Sequence, residues 1–98
     1  MSNWAFLYVS LECPLDQYIS EQLKRAVDLS LAGEWNAAHQ IVQEYKDPIA
    51  YWIHAVLHKI EGDEFNSRYW YAKTSAEYED FDSVKDELIH LLTMLHKI

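Results

Sequence analysis

Two histidines near the middle of the chain have the spacing of metal ligands. His54 and His58 are four residues apart, so in a helix they lie one turn apart on one face, and Glu61 follows a further turn along. Imidazoles at this spacing can share one divalent ion with a carboxylate as third ligand. A zinc peptidase needs a glutamate between its two histidines as the base, and this order is missing here.

The pattern leaves two interpretations open. In the first, His54, His58 and Glu61 bind a divalent metal such as zinc, and the coordination shell is completed by His39, Asp63 or Tyr69. Glu61 then either ligates the ion or acts as the base of a small hydrolytic protein, and water is the fourth ligand. In the second, no cofactor is bound. The histidines then lie in a polar seam between two helices and hydrogen-bond to phenols, to Asn66 or to carboxylates.

Three consecutive aromatic residues follow the histidines. Tyr69, Trp70 and Tyr71 sample most of a helix circumference, so they cannot all face one core. We expect Tyr69 in the core, with Trp70 and Tyr71 clamping adjoining helices. The alternative is an exposed ring that lines a ligand or partner groove. Together with His39, Asp63 and Asn66, these rings form the predicted binding cluster.

Start and stop residues divide the chain into about five helices. Proline and an aspartate or serine mark helix starts, and glycine marks helix ends. The boundaries fall at Pro14, Gly33, Asp47-Pro48, Gly62-Asp63 and Ser83. Because the connections are short, successive helices should be antiparallel neighbours. The predicted fold is therefore all-α, a single domain over residues 1–98.

Apolar spacing assigns a buried face to the helices that flank the histidines. The third helix has its stripe at Ile49, Trp52, Ile53, Val56, Leu57 and Ile60. The fourth helix is predicted to bury Phe65, Tyr69, Ala72 and Ala76. On a helical wheel the histidines lie away from the stripe of the third helix, where a lone surface helix would expose them to water. In the tetratricopeptide-like register described next they face the following helix instead, and the third helix would then be covered on two sides.

The chain also contains a short internal repeat. Residues 33–39 (Gly-Glu-Trp-Asn-Ala-Ala-His) parallel residues 62–69 (Gly-Asp-Glu-Phe-Asn-Ser-Arg-Tyr), with one extra residue in the second copy. The order glycine, acid, aromatic, asparagine resembles the turn inside a tetratricopeptide repeat. This implies two helical hairpins and a C-terminal capping helix, with Ala38 and Ala72 as small packing residues. The tryptophan and leucine expected early in the first repeat are missing.

A longer motif resembles one known family. Residues 54–71 read His-Ala-x-Leu-His-x-x-Glu-Gly-Asp-x-x-Asn-x-x-Tyr-Trp-Tyr, and residues 33–39 add a second stretch. Both are similar to a family of small, functionally uncharacterised, mainly bacterial proteins. Ser67 stands where that family usually carries alanine, and Thr74-Ser75 where Ala-Gly is expected. The resemblance implies a helical fold and a shared polar motif, and it brings no known activity.

Composition limits the classes of function. The chain has 98 residues and a formal net charge of −8, and no basic stripe is available to neutralise the phosphates of a nucleic acid. The same charge argues against anionic membrane surfaces. Residues 1–13 are apolar and are interpreted as a strap or an extra helical turn, not as a signal peptide or a membrane span. The single cysteine, Cys13, excludes an internal disulfide framework and fits a cytoplasmic protein.

No nucleophile–base arrangement and no glycine-rich phosphate loop is present. The sequence therefore favours a non-enzymatic helical-hairpin module that self-associates or binds a protein partner. The alternative hypothesis is the divalent-metal-binding or small hydrolytic protein described above.

Overall fold

The computed structural model describes residues 17–97, which form five α-helices, one short 3-10 helix and no strand. The elements are α1 (Gln17–Leu31), α2 (Trp35–Val42), α3 (Pro48–Ile60), α4 (Glu64–Tyr71), the 3-10 helix (Tyr78–Asp80) and α5 (Val84–His96). The predicted all-α class is confirmed for this part of the chain. The expected helix start at Pro14, the strap over residues 1–13 and Cys13 lie outside the described residues.

Two glycine turns of the same geometry join α1 to α2 and α3 to α4. Gly33 and Gly62 each have φ of +83°, the left-handed region that a Cβ disfavours. After α1 the Gly33 amide donates to Ser30 (3.1 Å) and the next amide to Leu29 (2.8 Å). After α3 the Gly62 amide donates to Lys59 (3.2 Å) and the next amide to His58 (2.9 Å). Both ends are Schellman motifs, so both predicted stops are confirmed.

The three predicted helix starts are also confirmed. Asp47 Oδ1 accepts from the Ile49 amide at 2.8 Å before Pro48 begins α3. Asp63 caps α4 and Ser83 caps α5, each by accepting an amide hydrogen bond of 3.2 Å from the residue three positions on. These caps satisfy amides that have no partner inside the helix.

Helix α3 is the central element. It packs against α1, α2, α4 and α5, and its residues 52–57 are all buried. The expectation that α3 is covered on more than one side is therefore confirmed. Its neighbours contribute the rest of the core: Leu23, Ala26 and Val27 from α1, Ala38 and Val42 from α2, and Leu88, Leu91 and Leu95 from α5.

The predicted buried face of α4 was wrong. Phe65 is 83% exposed and Tyr69 is 53% exposed, whereas Ser67 and Tyr71 are buried. The small Ser67 lets α4 approach α3 closely, and its hydroxyl donates to the Ala55 carbonyl at 2.7 Å. Serine is usually a surface residue, but Ser67 can lie in the contact between α4 and α3 because its hydroxyl has a hydrogen-bond partner there.

The end of α4 also differs from the prediction. The helix stops at Tyr71, so Ala72 is an exposed C-cap residue and is not the small packing residue that the repeat predicted. Ala76 is buried, but it lies in the loop that follows the helix. Counted from the two glycines without any insertion, the small buried residues are Ala38 in α2 and Ser67 in α4.

Candidate metal centre

Three histidines from two helices meet between α2 and α3. His39 comes from α2, and His54 and His58 come from α3. The Nε2 atoms of His39 and His54 lie 3.1 Å apart, and one ligand atom from each of the three rings lies within 4.8 Å of the others. Two nitrogens bound to one tetrahedral zinc at its usual bond length are separated by about 3.3 Å. His39 and His54 are therefore already at the separation that a shared ion requires, and a ring nitrogen of His58 lies within 4.8 Å of both.

Two tryptophans stack on rings of this histidine cluster (His39, His54 and His58). Trp35 stacks on His39 with centroids 4.7 Å apart and planes within 10°, and its indole Nε1 donates to the Leu57 carbonyl at 2.6 Å. Trp70 from α4 stacks on His54 at 4.0 Å and 14°. Fixed rings lose little conformational entropy on binding a ligand, so the arrangement is preorganised.

Glu61 contacts the histidine cluster through His58. Its Oε2 is 2.7 Å from Nδ1 of His58. A hydrogen bond from Nδ1–H to this carboxylate leaves the lone pair of His58 on Nε2. Carboxylates commonly hold metal-binding histidines in this way and fix both their tautomer and their orientation. The geometry therefore favours Glu61 as the residue that orients a ligand, and His39 as the third ligand.

Asp63 and Asn66 have another role in the structure. Asp63 Oδ2 accepts from the Asn66 side chain at 2.6 Å, in addition to the backbone bond that caps α4. These bonds from Asn66 hold the pKa of Asp63 below its usual range. Asp63 also groups with His58 and Glu61 within metal-binding distances, but its oxygens are already engaged at the helix start.

Burial keeps His39 and His54 uncharged. Burial, together with the neighbouring His39 and His58, lowers the pKa of His54 to about 4. The pKa of His39 is also lowered, first by burial and then by His58, against an opposing effect of Glu61. Both rings are therefore neutral at pH 7, which is the form that binds a metal ion.

The three aromatic residues at the end of α4 have separate environments. Tyr69 is exposed, so its predicted place in the core was wrong, and Tyr71 is 3% exposed. Trp70 contacts α3 through His54 and through Tyr51, whose ring centroid is 5.6 Å away. Trp70 thus clamps an adjoining helix, as expected, and it is the ring of the three that touches the histidine cluster.

A second buried polar group was not anticipated from the sequence. Glu87 in α5 is fully buried and accepts from Trp52 Nε1 at 2.7 Å and from the Tyr71 hydroxyl. Lys59 forms an ion pair with it at 3.0 Å and also donates to the Tyr78 carbonyl at 2.8 Å. Burial and the bond to Glu87 raise the pKa of Tyr71.

One signal for this network was present in the sequence. Glu87 lies between Val84 and Leu91 at helical spacing, on the apolar stripe of α5, where a solvated carboxylate would not be expected. Its neighbours satisfy it completely, and no buried side-chain nitrogen or oxygen in residues 17–97 lacks a hydrogen bond. Lys59 and Tyr71 each border an open cavity, but Glu87 lines none of the described cavities. We therefore interpret the network as structural.

No protein-family model, no curated protein and no solved structure matches this chain. The resemblance to the uncharacterised family therefore stays a prediction. Of the helices in residues 17–97, none is long and apolar enough to cross a membrane.

Proposed function

We propose that this protein binds one divalent metal ion, with zinc as the preferred ion, through His39, His54 and His58. The observation that carries the proposal is the convergence of three imidazoles from two helices, with one ligand atom from each within 4.8 Å of the others. Glu61 orients His58 through Nδ1. Imidazole nitrogen is a good ligand for zinc, and three protein ligands leave the fourth tetrahedral position for water or a substrate.

In the metal-free protein the 3.1 Å contact between His39 and His54 requires a proton on one of the two Nε2 atoms. Metal binding requires the lone pair of each Nε2. The proton then moves to Nδ1 of the same ring, and neither imidazole has to lose a charge. Since burial already lowers the pKa of both rings, protons compete weakly with the ion at pH 7.

The position of the cluster gives the ion a structural effect as well. His39 lies in the second helix of the first hairpin, and the other two ligands lie in the first helix of the next hairpin. A bound ion would therefore link the two hairpins across the contact between α2 and α3. An ion that binds only the folded chain stabilises it, and the stabilisation grows with the logarithm of the ion concentration relative to its Kd.

The test is a zinc titration of chelator-treated protein by calorimetry, together with its melting temperature with and without zinc. We expect one ion per chain and a higher melting temperature with zinc. His39→Ala and His58→Ala should abolish both effects while the circular dichroism spectrum remains helical. His90→Ala is the matched control, because His90 is an exposed histidine on α5. Substoichiometric binding by the wild type, or equal losses in the control, would overturn the proposal.

We propose as a second candidate function that the chain is a tetratricopeptide-like interaction module that self-associates. Support for the tetratricopeptide-like arrangement comes from the two matching Schellman turns and from the fully buried small residues, Ala38 and Ser67, five positions after each glycine. Support for association comes from Phe65 and Tyr69, exposed aromatic residues one turn apart on α4. A two-fold axis can place such a face against its own copy.

Sedimentation velocity over a range of protein concentrations tests this second function. We expect a dimer in the wild type and a monomer after Phe65→Ser/Tyr69→Ser. Ile89→Ser on α5 is a control that also removes an exposed apolar side chain, and it should leave the dimer intact. A wild type that remains monomeric at every concentration would contradict self-association and would leave the metal proposal unaffected.

A further inference from the structure

An open cleft lies beside α3, between the C-terminal end of α2 and the C-terminal end of α4. It has a volume of about 370 Å³, and four aromatic side chains form much of its wall: Tyr45, Tyr51, Tyr69 and Trp70. The rings of Tyr51 and Trp70 are 5.6 Å apart and tilted by 35°, so they form a pocket wall and not a closed stack. We refer to this space as the aromatic cleft.

Two lysines line the same cleft. Lys46 follows α2, and Lys73 follows α4. The Lys73 ammonium lies 4.9 Å from the ring centroid of Tyr69 and 5.9 Å from that of Trp70. Within residues 17–97 no carboxylate lines the cleft, and neither lysine forms an ion pair with one. In a chain with net charge −8, this is a local excess of positive charge beside aromatic surface.

We propose that the aromatic cleft binds a small aromatic carboxylate. Aromatic walls favour a flat ring by stacking, and the lysines favour a negative charge at its edge. Pockets that hold small molecules begin at about 300 Å³, so the cleft has room for one fused bicyclic ring and not for a large cofactor. A neutral ring would use only the walls, and a cationic ring would be repelled by the lysines.

The inference goes beyond the proposed metal site and does not depend on it. His54 borders the aromatic cleft, but the stacking wall and the two ammonium groups lie outside the histidine cluster. Binding is therefore expected in the presence of a chelator. The outcome of this binding experiment is therefore independent of the outcome of the zinc titration.

The experiment follows amide shifts of the full-length, isotope-labelled protein in chelator while 2-naphthoate is added. Matched probes are 2-naphthalenemethanol, which is neutral, and 2-naphthylmethylamine, which is cationic. We expect 2-naphthoate to bind most tightly and the amine least tightly, with the largest shifts at Tyr51 and Trp70. Lys46→Gln/Lys73→Gln should weaken the binding of 2-naphthoate about tenfold, because two exposed charge contacts are lost.

The control variant is Lys85→Gln/Lys97→Gln, which also removes two positive charges, one in α5 and one directly after it. Its affinity for 2-naphthoate should stay within about twofold of the wild-type affinity, since distant exposed charges are screened. Three results would overturn the proposal: no saturable shifts around the aromatic cleft, an affinity for the amine equal to that for the acid, or the same loss in both lysine variants.

Discussion

The contact between Glu61 and His58 decides which nitrogen of the histidine remains available. With Nδ1–H donated to the carboxylate at 2.7 Å, Nε2 carries the lone pair. The Glu61 side chain is 40% exposed and is not a member of the hydrophobic core. Its effect on the fold is therefore small, whereas its effect on the orientation of a ligand ring is direct.

Glu61→Gln should weaken zinc binding about tenfold or more, which is the usual effect of losing the carboxylate behind a histidine ligand. The thermal stability of the metal-free protein should hardly change. Competition with a chromophoric chelator measures the affinity. Glu64→Gln provides the control, since Glu64 is another exposed glutamate of the same turn region, paired with Arg68. Equal affinities for the two variants would contradict the role assigned to Glu61.

The buried ring of His54 makes the stability of the metal-free protein depend on pH. Its pKa is about 4 in the folded protein and about 6.5 when unfolded, so the unfolded chain binds more protons between these values. The free energy of unfolding therefore falls as pH decreases from 6.5 to 4, by up to about 3 kcal/mol from this group. Above pH 6.5 the ring of His54 is neutral in both the folded and the unfolded protein, so this group no longer lowers the free energy of unfolding.

Urea unfolding at pH 7 and at pH 4.5, with a chelator present, tests this dependence. His54→Gln removes the titrating ring but keeps a polar side chain of similar length. The loss of stability between the two pH values should be smaller in this variant than in the wild type. The same loss in both proteins would show that His54 does not titrate as the burial requires.

At the scale of the helices, the two glycine turns are predicted to be energetically equivalent. Both glycines have φ of +83°, and a Cβ added at either position would meet no atom within 4 Å. The cost of alanine is then the left-handed backbone alone, about 1 kcal/mol. Gly33→Ala and Gly62→Ala should therefore lower the free energy of unfolding by similar amounts in urea titrations. A loss at one position several times that at the other would contradict the equivalence.

The ion pair between Lys59 and Glu87 joins α3 to α5. Glu87→Leu should cost about 3–5 kcal/mol. It leaves the largely buried Lys59 ammonium without its counter-ion, and the donors of Trp52 and Tyr71 without their acceptor. The double variant Lys59→Met/Glu87→Leu should recover part of this loss. Glu79→Leu, which breaks an exposed pair with Arg68, should cost much less. Denaturant unfolding of the four proteins measures the difference, and equal costs for Glu87→Leu and Glu79→Leu would contradict it.

Helix boundaries were predictable from the sequence because each depends on local chemistry. A glycine with a left-handed backbone ends α1 and α3, and a capping carboxylate or hydroxyl begins α3, α4 and α5. The face of α4 was not predictable in this way. Its eight residues carry aromatic side chains on several sides, and the contact with α3 is decided by the small size of Ser67.

At the scale of the whole molecule, the histidine cluster depends on how α2 packs against α3. His54 and His58 could be paired from their spacing in one helix. His39 lies 15 positions before His54 and on another helix, so only the packing of α2 on α3 brings its Nε2 to 3.1 Å. The hydrogen bond from Trp35 to Leu57 fixes this packing, and no local pattern in the sequence specifies it.

The network around Glu87 is non-local in the same sense. Its donors come from α3 and α4, between 16 and 35 positions away along the chain. The sequence shows a carboxylate on an apolar stripe, but the compensating donors become apparent only when the helices are assembled. The overall class of the fold was therefore accessible from the sequence, whereas both buried polar clusters required the tertiary structure.

The most direct measurement of the central proposal is X-ray absorption spectroscopy at the zinc edge on protein loaded with one equivalent of zinc. The proposal predicts four light ligands at about 2.0–2.1 Å, with the multiple scattering of three imidazoles. In the His39→Ala variant the imidazole contribution should fall. A spectrum with a sulfur ligand at about 2.3 Å, or with no imidazole scattering, would contradict the assignment of His39, His54 and His58 as the metal site.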